Sequence, residues 1–290
     1  MRIVLLSNAA SGSSDPETIE SLSSELATLG PVTQLAPESL DSFDDDVTEA
    51  ASDADLLVVA GGDGTLNCAV NALRGDHLHD VALALVPLGT GNDFARTLGL
   101  PSKPLDAARA VVAARERAVD VWRARSEAVD KLFVNACMGG FPVEVDEEVD
   151  EDLKRKLGPV AFVAGGAKAA SDMSRYRVSI GGDEHEDCIA AGVGNGQTCG
   201  GGVRVWPQAD PSDGILDACA LRTEGIGDTI KLAATVRLGR HVRLAEVETT
   251  RGDHIEIASE PPMEFNLDGE LVGLRTPVRF ELAGSIKFRA

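Results

Sequence analysis

The stretch Leu56-Leu57-Val58-Val59-Ala60-Gly61-Gly62-Asp63-Gly64-Thr65-Leu66-Asn67 constrains the fold more than any other part of the chain. A β-prone apolar run stops at two glycines, an acid and a third glycine, and a helical pattern follows from Thr65. The sequence reads as a strand over 55–60, a tight loop and a helix N-terminus. Glycines at 61, 62 and 64 admit backbone angles closed to other residues and let a ligand approach the main chain. The N–H groups that open the next helix favour an anion. A carboxylate beside a phosphate is repelled, so Asp63 acts through a metal or fixes a side chain. A plain β–α turn with a capping Asp is the alternative.

The same design recurs downstream. Residues 81–86 are another apolar run, ending in Pro87-Leu88-Gly89-Thr90-Gly91-Asn92-Asp93-Phe94-Ala95-Arg96. Two glycine-rich turns after consecutive apolar strands say more than either alone, because loops at the carboxyl ends of strands line the ligand crevice of an open α/β sheet. Asn92 or Asp93 could equally cap the helix that follows. A first strand over 2–6 runs into Ser7-Asn8-Ala9-Ala10-Ser11-Gly12, a small polar loop and a further candidate phosphate or nucleotide contact. Residues 16–29 read as a helix with Ile19, Leu22, Leu26 and Leu29 on one face, and 105–114 as another. A short strand is expected over 32–35, and the acidic stretch 41–46 reads as a solvated helix approach.

From about residue 118 strand patterns dominate, at 118–124, 131–137, 176–180, 188–194, 215–221, 242–248, 254–257, 278–282 and 286–288. Helical patterns are fewer, near 145–157, 159–171 and 227–238, and the acidic run 144–152 reads as a solvated helix start. Alternation and close spacing predict a largely antiparallel sandwich or barrel-like second domain. The fold class expected is α/β plus β-rich: an open α/β nucleotide-binding domain over 1–117 and a β-sandwich substrate and metal domain over 118–290. A cleft separates them, and the last strands are free to pack back toward the first domain.

Two polar constellations lie in the second half. One is Asn195-Gly196-Gln197-Thr198-Cys199-Gly200-Gly201-Gly202, followed by Asp210 and Asp213-Gly214-Ile215-Leu216-Asp217. Oxygen ligands at short spacing with glycine turns can hold Mg²⁺, and a surface hairpin turn is the alternative. The other is Asn266-Leu267-Asp268-Gly269-Glu270, whose two carboxylates can supply a general base or simply form an Asp-Gly hairpin turn.

Charge narrows the partners. The net charge is −20, with 7 lysines against 20 arginines, and no basic cluster stands out that could neutralise phosphates, so no nucleic-acid partner is expected. Few lysines and many acids fit a salt-loving organism, whose carboxylate-rich surface stays solvated in brine. Unfolding in dilute buffer is therefore expected, and a melting temperature that does not change between dilute and molar salt would sink the idea. Cys68, Cys137, Cys188, Cys199 and Cys219 are odd in number and include no C-x-x-C pair, which points to thiols in a reducing compartment. No apolar run reaches about 18 residues, so a cytoplasmic protein is expected.

The four motifs, in this order, resemble the diacylglycerol kinase and sphingosine kinase family, especially its soluble bacterial and archaeal lipid kinases. They are Gly61 to Asn67, Gly89 to Arg96, Gly200-Gly201-Gly202 with Asp213 to Asp217, and Asp268-Gly269-Glu270. The first is shared with NAD kinases; the Gly-Thr-Gly-Asn-Asp-Phe-Ala-Arg run separates the lipid kinases. The resemblance implies an ATP- and Mg²⁺-dependent kinase that phosphorylates a lipid alcohol, diacylglycerol or a relative, at the membrane surface. It implies nucleotide contacts at Asn8, Ala9, Ala10, Ser11 and Gly12, at Gly61, Gly62, Asp63, Gly64, Thr65, Leu66, Asn67 and Cys68, and at Thr90, Asn92 and Asp93. Asp63 and Asp93 would belong to the catalytic magnesium network, and Asp210, Asp213 and Ile215 to a structural Mg²⁺. Asp268 or Glu270 would be the base. Ala9 stands where the family has proline and Cys68 where it commonly has Glu. An NAD kinase-like phosphotransferase and a catalytically silent nucleotide- or lipid-binding regulator are the rival readings, and a homodimer is allowed. Nothing in the sequence spans a membrane, and an acidic surface is repelled by anionic lipid unless salt screens it.

Overall fold

Apolar runs with no polar interruption mark strands covered on both faces. In the computed structural model such runs build the first of two units. The description covers residues 1–7, 15–37, 39–140, 174–223, 228, 231–232, 235–236 and 238–290. The loop at Asn8 to Gly12, the helices expected at 145–157 and 159–171, and the acidic run 144–152 lie outside it, as does much of 227–238. One unit comprises Met1–Val121, Leu132–Val134 and Ala283–Ala290; the other comprises Trp122–Lys131 and Asn135–Leu282.

The first unit alternates strand and helix: β1 (Ile3–Ser7), α1 (Pro16–Leu26), β2 (Val32–Leu35), α2 (Leu40–Ser52), β3 (Leu56–Gly61), α3 (Asp63–Ala72), β4 (Ala82–Pro87), α4 (Asp93–Thr97) and α5 (Pro104–Ala113). Four of its strands pair in parallel, in the order β2-β1-β3-β4. The period of two deals each run to opposite faces. Val4, Leu6, Leu57, Val59, Leu83 and Leu85 meet Phe43, Val47, Leu66 and Val70 of α2 and α3. Ile3, Leu5, Leu56, Val58, Ala84 and Val86 meet Ile19, Leu22 and Leu26 of α1 and Ala107, Ala108 and Val111 of α5. The acidic stretch 41–46 is part of α2 itself, correcting the expected helix approach. Phe43 and Val47 are buried on one side of this helix, and Asp44 and Asp45 stay exposed.

The remaining strands are β5 (Glu116–Arg125), β6 (Asp130–Phe133), β7 (Ala136–Gly140), β8 (Tyr176–Ile180), β9 (Asp183–Gly194), β10 (Leu216–Arg222), β11 (Val247–Gly252), β12 (His254–Glu260), β13 (Glu264–Leu267), β14 (Glu270–Arg275) and β15 (Val278–Arg289). In the second unit the strand order is β14-β13-β7-β9-β8-β12-β15, with β10 between β9 and β11. Its described pairings are antiparallel. Several expected boundaries move. The run 131–137 breaks into β6 and β7 at Val134 and Asn135, the two last strands are one, and the Asp-Gly hairpin turn weighed at Asp268-Gly269 joins two strands, β13 and β14, that the strand patterns did not mark. Residues 241–243 form a 3₁₀ turn rather than the start of a strand. The last residues of β15 belong to the first unit, where Phe288 pairs in parallel with Leu83. The five cysteines form no disulfide. Burial pushes the Cys188 thiol up to about 11 and Cys219 to about 12.

One buried histidine makes stability pH-dependent. His241 is fully buried, its Nε2–H donates to Val205 O at 2.9 Å, and its Nδ1 has no partner. Burial lowers its pKa below the ordinary value, outweighing the bond to Val205. The unfolded chain therefore binds the proton more readily, so this stability is present above the unfolded pKa of about 6.5 and is lost as pH falls toward the folded value. Chemical denaturation at neutral and mildly acidic pH is expected to show the loss, with a shallower slope in His241→Gln.

Candidate active site

The two glycine-rich turns come together within the first unit. Leu88 N–H donates to Gly61 O at 2.9 Å, continuing the β3–β4 pairing past the end of the sheet. A Cβ on Gly89 would lie 2.6 Å from Gly62 Cα, and one on Gly61 would lie 2.6 Å from Thr65 Cβ. Only glycine at 62 and 89 lets the two backbones cross this closely. Gly89 belongs to the motif read in the sequence but was not singled out there. Its signal was its partner on the next strand, which sequence order alone does not give.

Asp63 is the clasp. It opens α3, and its carboxylate reaches the other turn, accepting Asp93 N–H at 2.9 Å and Phe94 N–H at 3.0 Å. Those are the first two N–H groups of α4, which a helix cannot satisfy internally. Asn92 turns the chain into α4 in the left-handed region, φ 51°, a conformation Asn tolerates. Its amide closes the turn on Gly89, accepting the Gly89 N–H at 3.0 Å and donating to Gly89 O. Asp93 is buried with Arg96 3.4 Å away, and Arg96 also donates to Gly91 O. Thr90 is exposed.

No side chain caps α3, whose N-cap is Gly62 in an extended conformation. Its first N–H groups are the kind that receives an anion. Farther along the helix, the expected nucleotide contacts are committed elsewhere. Leu66 is fully buried in the core, Cys68 packs against it, and Asn67 Nδ2 donates to Leu132 O at 3.0 Å. Asn71, one turn on, bonds Leu132 through both its oxygen and its nitrogen. Gly62, Asp63 and Gly64 stay partly exposed at the start of α3, whereas Thr65 is buried.

Hard oxygen donors surround one small space here. A Cβ on Gly91 would lie 3.1 Å from Asp63 Oδ2 and 3.7 Å from Asp93 Oδ2, so two carboxylates from separate turns border the gap that glycine leaves. That donor chemistry fits Mg²⁺, which takes few protein carboxylates and fills its shell with water and phosphate. No group of three or more His, Cys, Asp or Glu side chains converges as a metal cage among the described residues.

In the second unit, Asp210 accepts from Ser212 N–H and Oγ, at 3.0 and 2.7 Å. Asp213 accepts Ile215 N–H at 2.9 Å, and Gly214 turns at φ 69°. Arg251 bridges Asp213 and Asp217 at 3.0 and 3.1 Å. Burial raises the Asp217 pKa against the pull of that guanidinium.

The Asp268-Gly269 pair is a two-residue hairpin turn between β13 and β14, with φ 48° and 98°. Its two carboxylates are in different positions. Asp268 is 3 % exposed and its Oδ1 accepts the Asn135 and Ala136 N–H groups at 3.0 and 2.9 Å. Glu270 is exposed as a residue, yet nearby atoms desolvate its carboxyl enough to raise its pKa. The Asn195 to Thr198 stretch of the first polar constellation bonds two residues that sequence reading did not single out, Asn135 and Trp122. Asn135 Nδ2 donates to Thr198 O at 3.0 Å, and Asn195 Oδ1 accepts Trp122 Nε1–H at 3.0 Å.

Residues 2–124 match the diacylglycerol kinase catalytic domain, and 135–286 match the YegS C-terminal NAD kinase beta sandwich-like domain. A Stenotrophomonas maltophilia protein named "Probable lipid kinase YegS-like" is 36% identical over 230 residues, covering 76% of this chain and 74% of its own. The chain belongs to the YegS-like lipid kinase family. A Xanthomonas oryzae protein of the same name is 35% identical over 77% of this chain and 75% of its own. Among solved structures, a diacylglycerol kinase from Bacillus anthracis superposes with a TM-score of 0.79 at 26% identity, over 99% of this chain and 96% of its own. An NAD kinase from Archaeoglobus fulgidus in complex with ATP shares the fold alone, with a TM-score of 0.51 at 15% identity over the whole of this chain and 94% of its own. The α/β domain followed by a β-sandwich is therefore the family's arrangement. No helix among the described residues is long and apolar enough to cross a membrane.

Proposed function

We propose that this family member transfers the γ-phosphate of ATP to the hydroxyl of diacylglycerol or a closely related lipid. The observation that carries the reading is the crossing of the two turns at Gly62 and Gly89, beside an uncapped α3 N-terminus and the carboxylates of Asp63 and Asp93. Gly62 to Thr65 offers backbone N–H groups to the phosphates, and Asn92 holds the shape of the Gly89 turn. Asp63 and Asp93 would hold a Mg²⁺, which when bound neutralises charge on the phosphates. Glu270 takes the proton of the lipid hydroxyl as its oxygen bonds to the γ-phosphorus and ADP leaves with the electron pair of the broken bond. Its raised pKa supports Glu270 over Asp268 as base, since a stronger base accepts a proton more readily. Asp268 instead holds the hairpin on Asn135 and Ala136. The turn at Asp210, Asp213 and Ile215 has oxygen chemistry suited to a structural Mg²⁺, with Arg251 competing for Asp213.

Labelled ATP supplied with a total lipid extract in high salt, and separately with NAD, tests the reading. A labelled lipid of diacylglycerol-phosphate mobility is expected. Labelled NADP with no labelled lipid would transfer the chain to the NAD kinase reading.

A further inference from the structure

Leu238 is the most exposed of the large apolar side chains among the described residues, at 62 %. It lies in a stretch, 231–245, that contains four basic residues and no acid in a chain of net charge −20. The turn that presents it is held from below. Leu238 N–H donates to Thr235 O at 3.1 Å, Gly239 N–H to Val236 O at 3.0 Å, and Arg240 N–H to Thr235 O at 3.0 Å. Gly239 takes φ 65°, which glycine adopts without strain. Two residues on, His241 is buried and anchored to Val205 O. The 3₁₀ turn His241–Arg243 then brings the chain back.

Three arginines on or beside this turn have no carboxylate partner among the described residues. Arg240 and Arg243 are exposed and make no side-chain hydrogen bond or ion pair among the described residues. Arg204, whose side chain would be 3.2 Å from a Cβ on Gly239, bonds the neutral Gln197 Oε1 and Pro207 O instead of an acid. Lys231 is different, since Glu246 neutralises it at 2.8 Å. Several arginines elsewhere do meet an acid, among them Arg2, Arg109, Arg125, Arg177, Arg275 and Arg279. An exposed leucine on a turn that also carries exposed arginines matches the two layers of a lipid surface, apolar below and anionic above.

Resting on the lipid-kinase reading, we infer that the Leu238 tip, with Arg204, Arg240 and Arg243, docks the second unit on an anionic phospholipid bilayer. Leu238 enters the interface between headgroups and chains, and the arginines pair with headgroup phosphates. The rest of the acidic surface is repelled, so the docking is confined to this one tip.

The test is sedimentation of the full chain with phosphatidylcholine vesicles, with and without phosphatidylglycerol, at about 0.15 M salt, where the Debye length is about 8 Å. The wild type is expected to sediment with the anionic vesicles only. Arg240→Gln and Arg243→Gln should each weaken binding roughly five-fold, and Leu238→Ser about ten-fold. Phosphorylation of a short-chain diacylglycerol in detergent should be unchanged in all three, which shows that they fold. Binding that ignores the variants, or that is equal on neutral vesicles, overturns the tip. Variant-sensitive self-association without vesicles would assign it to a second copy instead and equally overturns it. Variant-sensitive vesicle binding with no phosphorylated lipid would leave the docking standing and reject the kinase reading alone.

Discussion

Asp63→Asn is expected to lower lipid phosphorylation by about 10²–10³-fold, the cost of removing one group that stabilises developing charge. The change removes the charge that would hold Mg²⁺ beside Gly91. It also alters the clasp, because Asp93 and Phe94 N–H donate to different oxygens of the same carboxylate and an amide offers only one acceptor. Leaving one donor unsatisfied costs about 1–3 kcal/mol, which a denaturation midpoint reads independently of activity. The two contributions separate in a Mg²⁺ titration. A metal role predicts that the variant needs much more Mg²⁺ for half-maximal rate. A pure capping role predicts a lower midpoint and an unchanged Mg²⁺ requirement, and an unchanged rate would remove Asp63 from the site altogether.

The contrast between Asp63 and Leu66 shows how far the sequence could be read. Glycines, an acid and a threonine after a buried strand disclosed a loop of phosphate size, because that chemistry is local. What Asp63 bonds to was not legible: its partners are about thirty residues away, and only the pairing of β3 with β4 brings them near. Leu66, Asn67 and Cys68 were expected as nucleotide contacts because they belong to the motif, but α3 begins at Asp63 and turns them into the unit. The strand-helix alternation of the first unit was readable from continuous apolar runs. At Asp268-Gly269 the hairpin turn was one of two readings, but the strands it joins were not legible, since Glu264–Leu267 is only four residues long and its pairing is set by that turn. Composition concealed the Leu238 tip in the same way. A net charge of −20 says nothing of which basic side chains share a turn, and here Arg204 lies against Gly239 from 35 residues away.

The choice of base gives the sharpest chemical prediction. Glu270→Gln is expected to lose about 10²–10⁴-fold in kcat, the usual contribution of a positioned general base, with little change in the unfolding midpoint. Asp268→Asn should stay within about ten-fold of wild type, because Asn keeps an oxygen for the Asn135 and Ala136 N–H groups and tolerates φ 48°. Asp268→Ala removes that acceptor and should cost about 1–3 kcal/mol of stability instead. The pH profile adds a readout that a structural role would not move. A base works deprotonated, so kcat/KM must rise with pH through the pKa of Glu270, which desolvation holds above the ordinary carboxylate value. That acid limb should vanish in Glu270→Gln and persist in Asp268→Asn. The opposite result, a limb that survives in Glu270→Gln and disappears in Asp268→Asn, would transfer the role to the buried carboxylate.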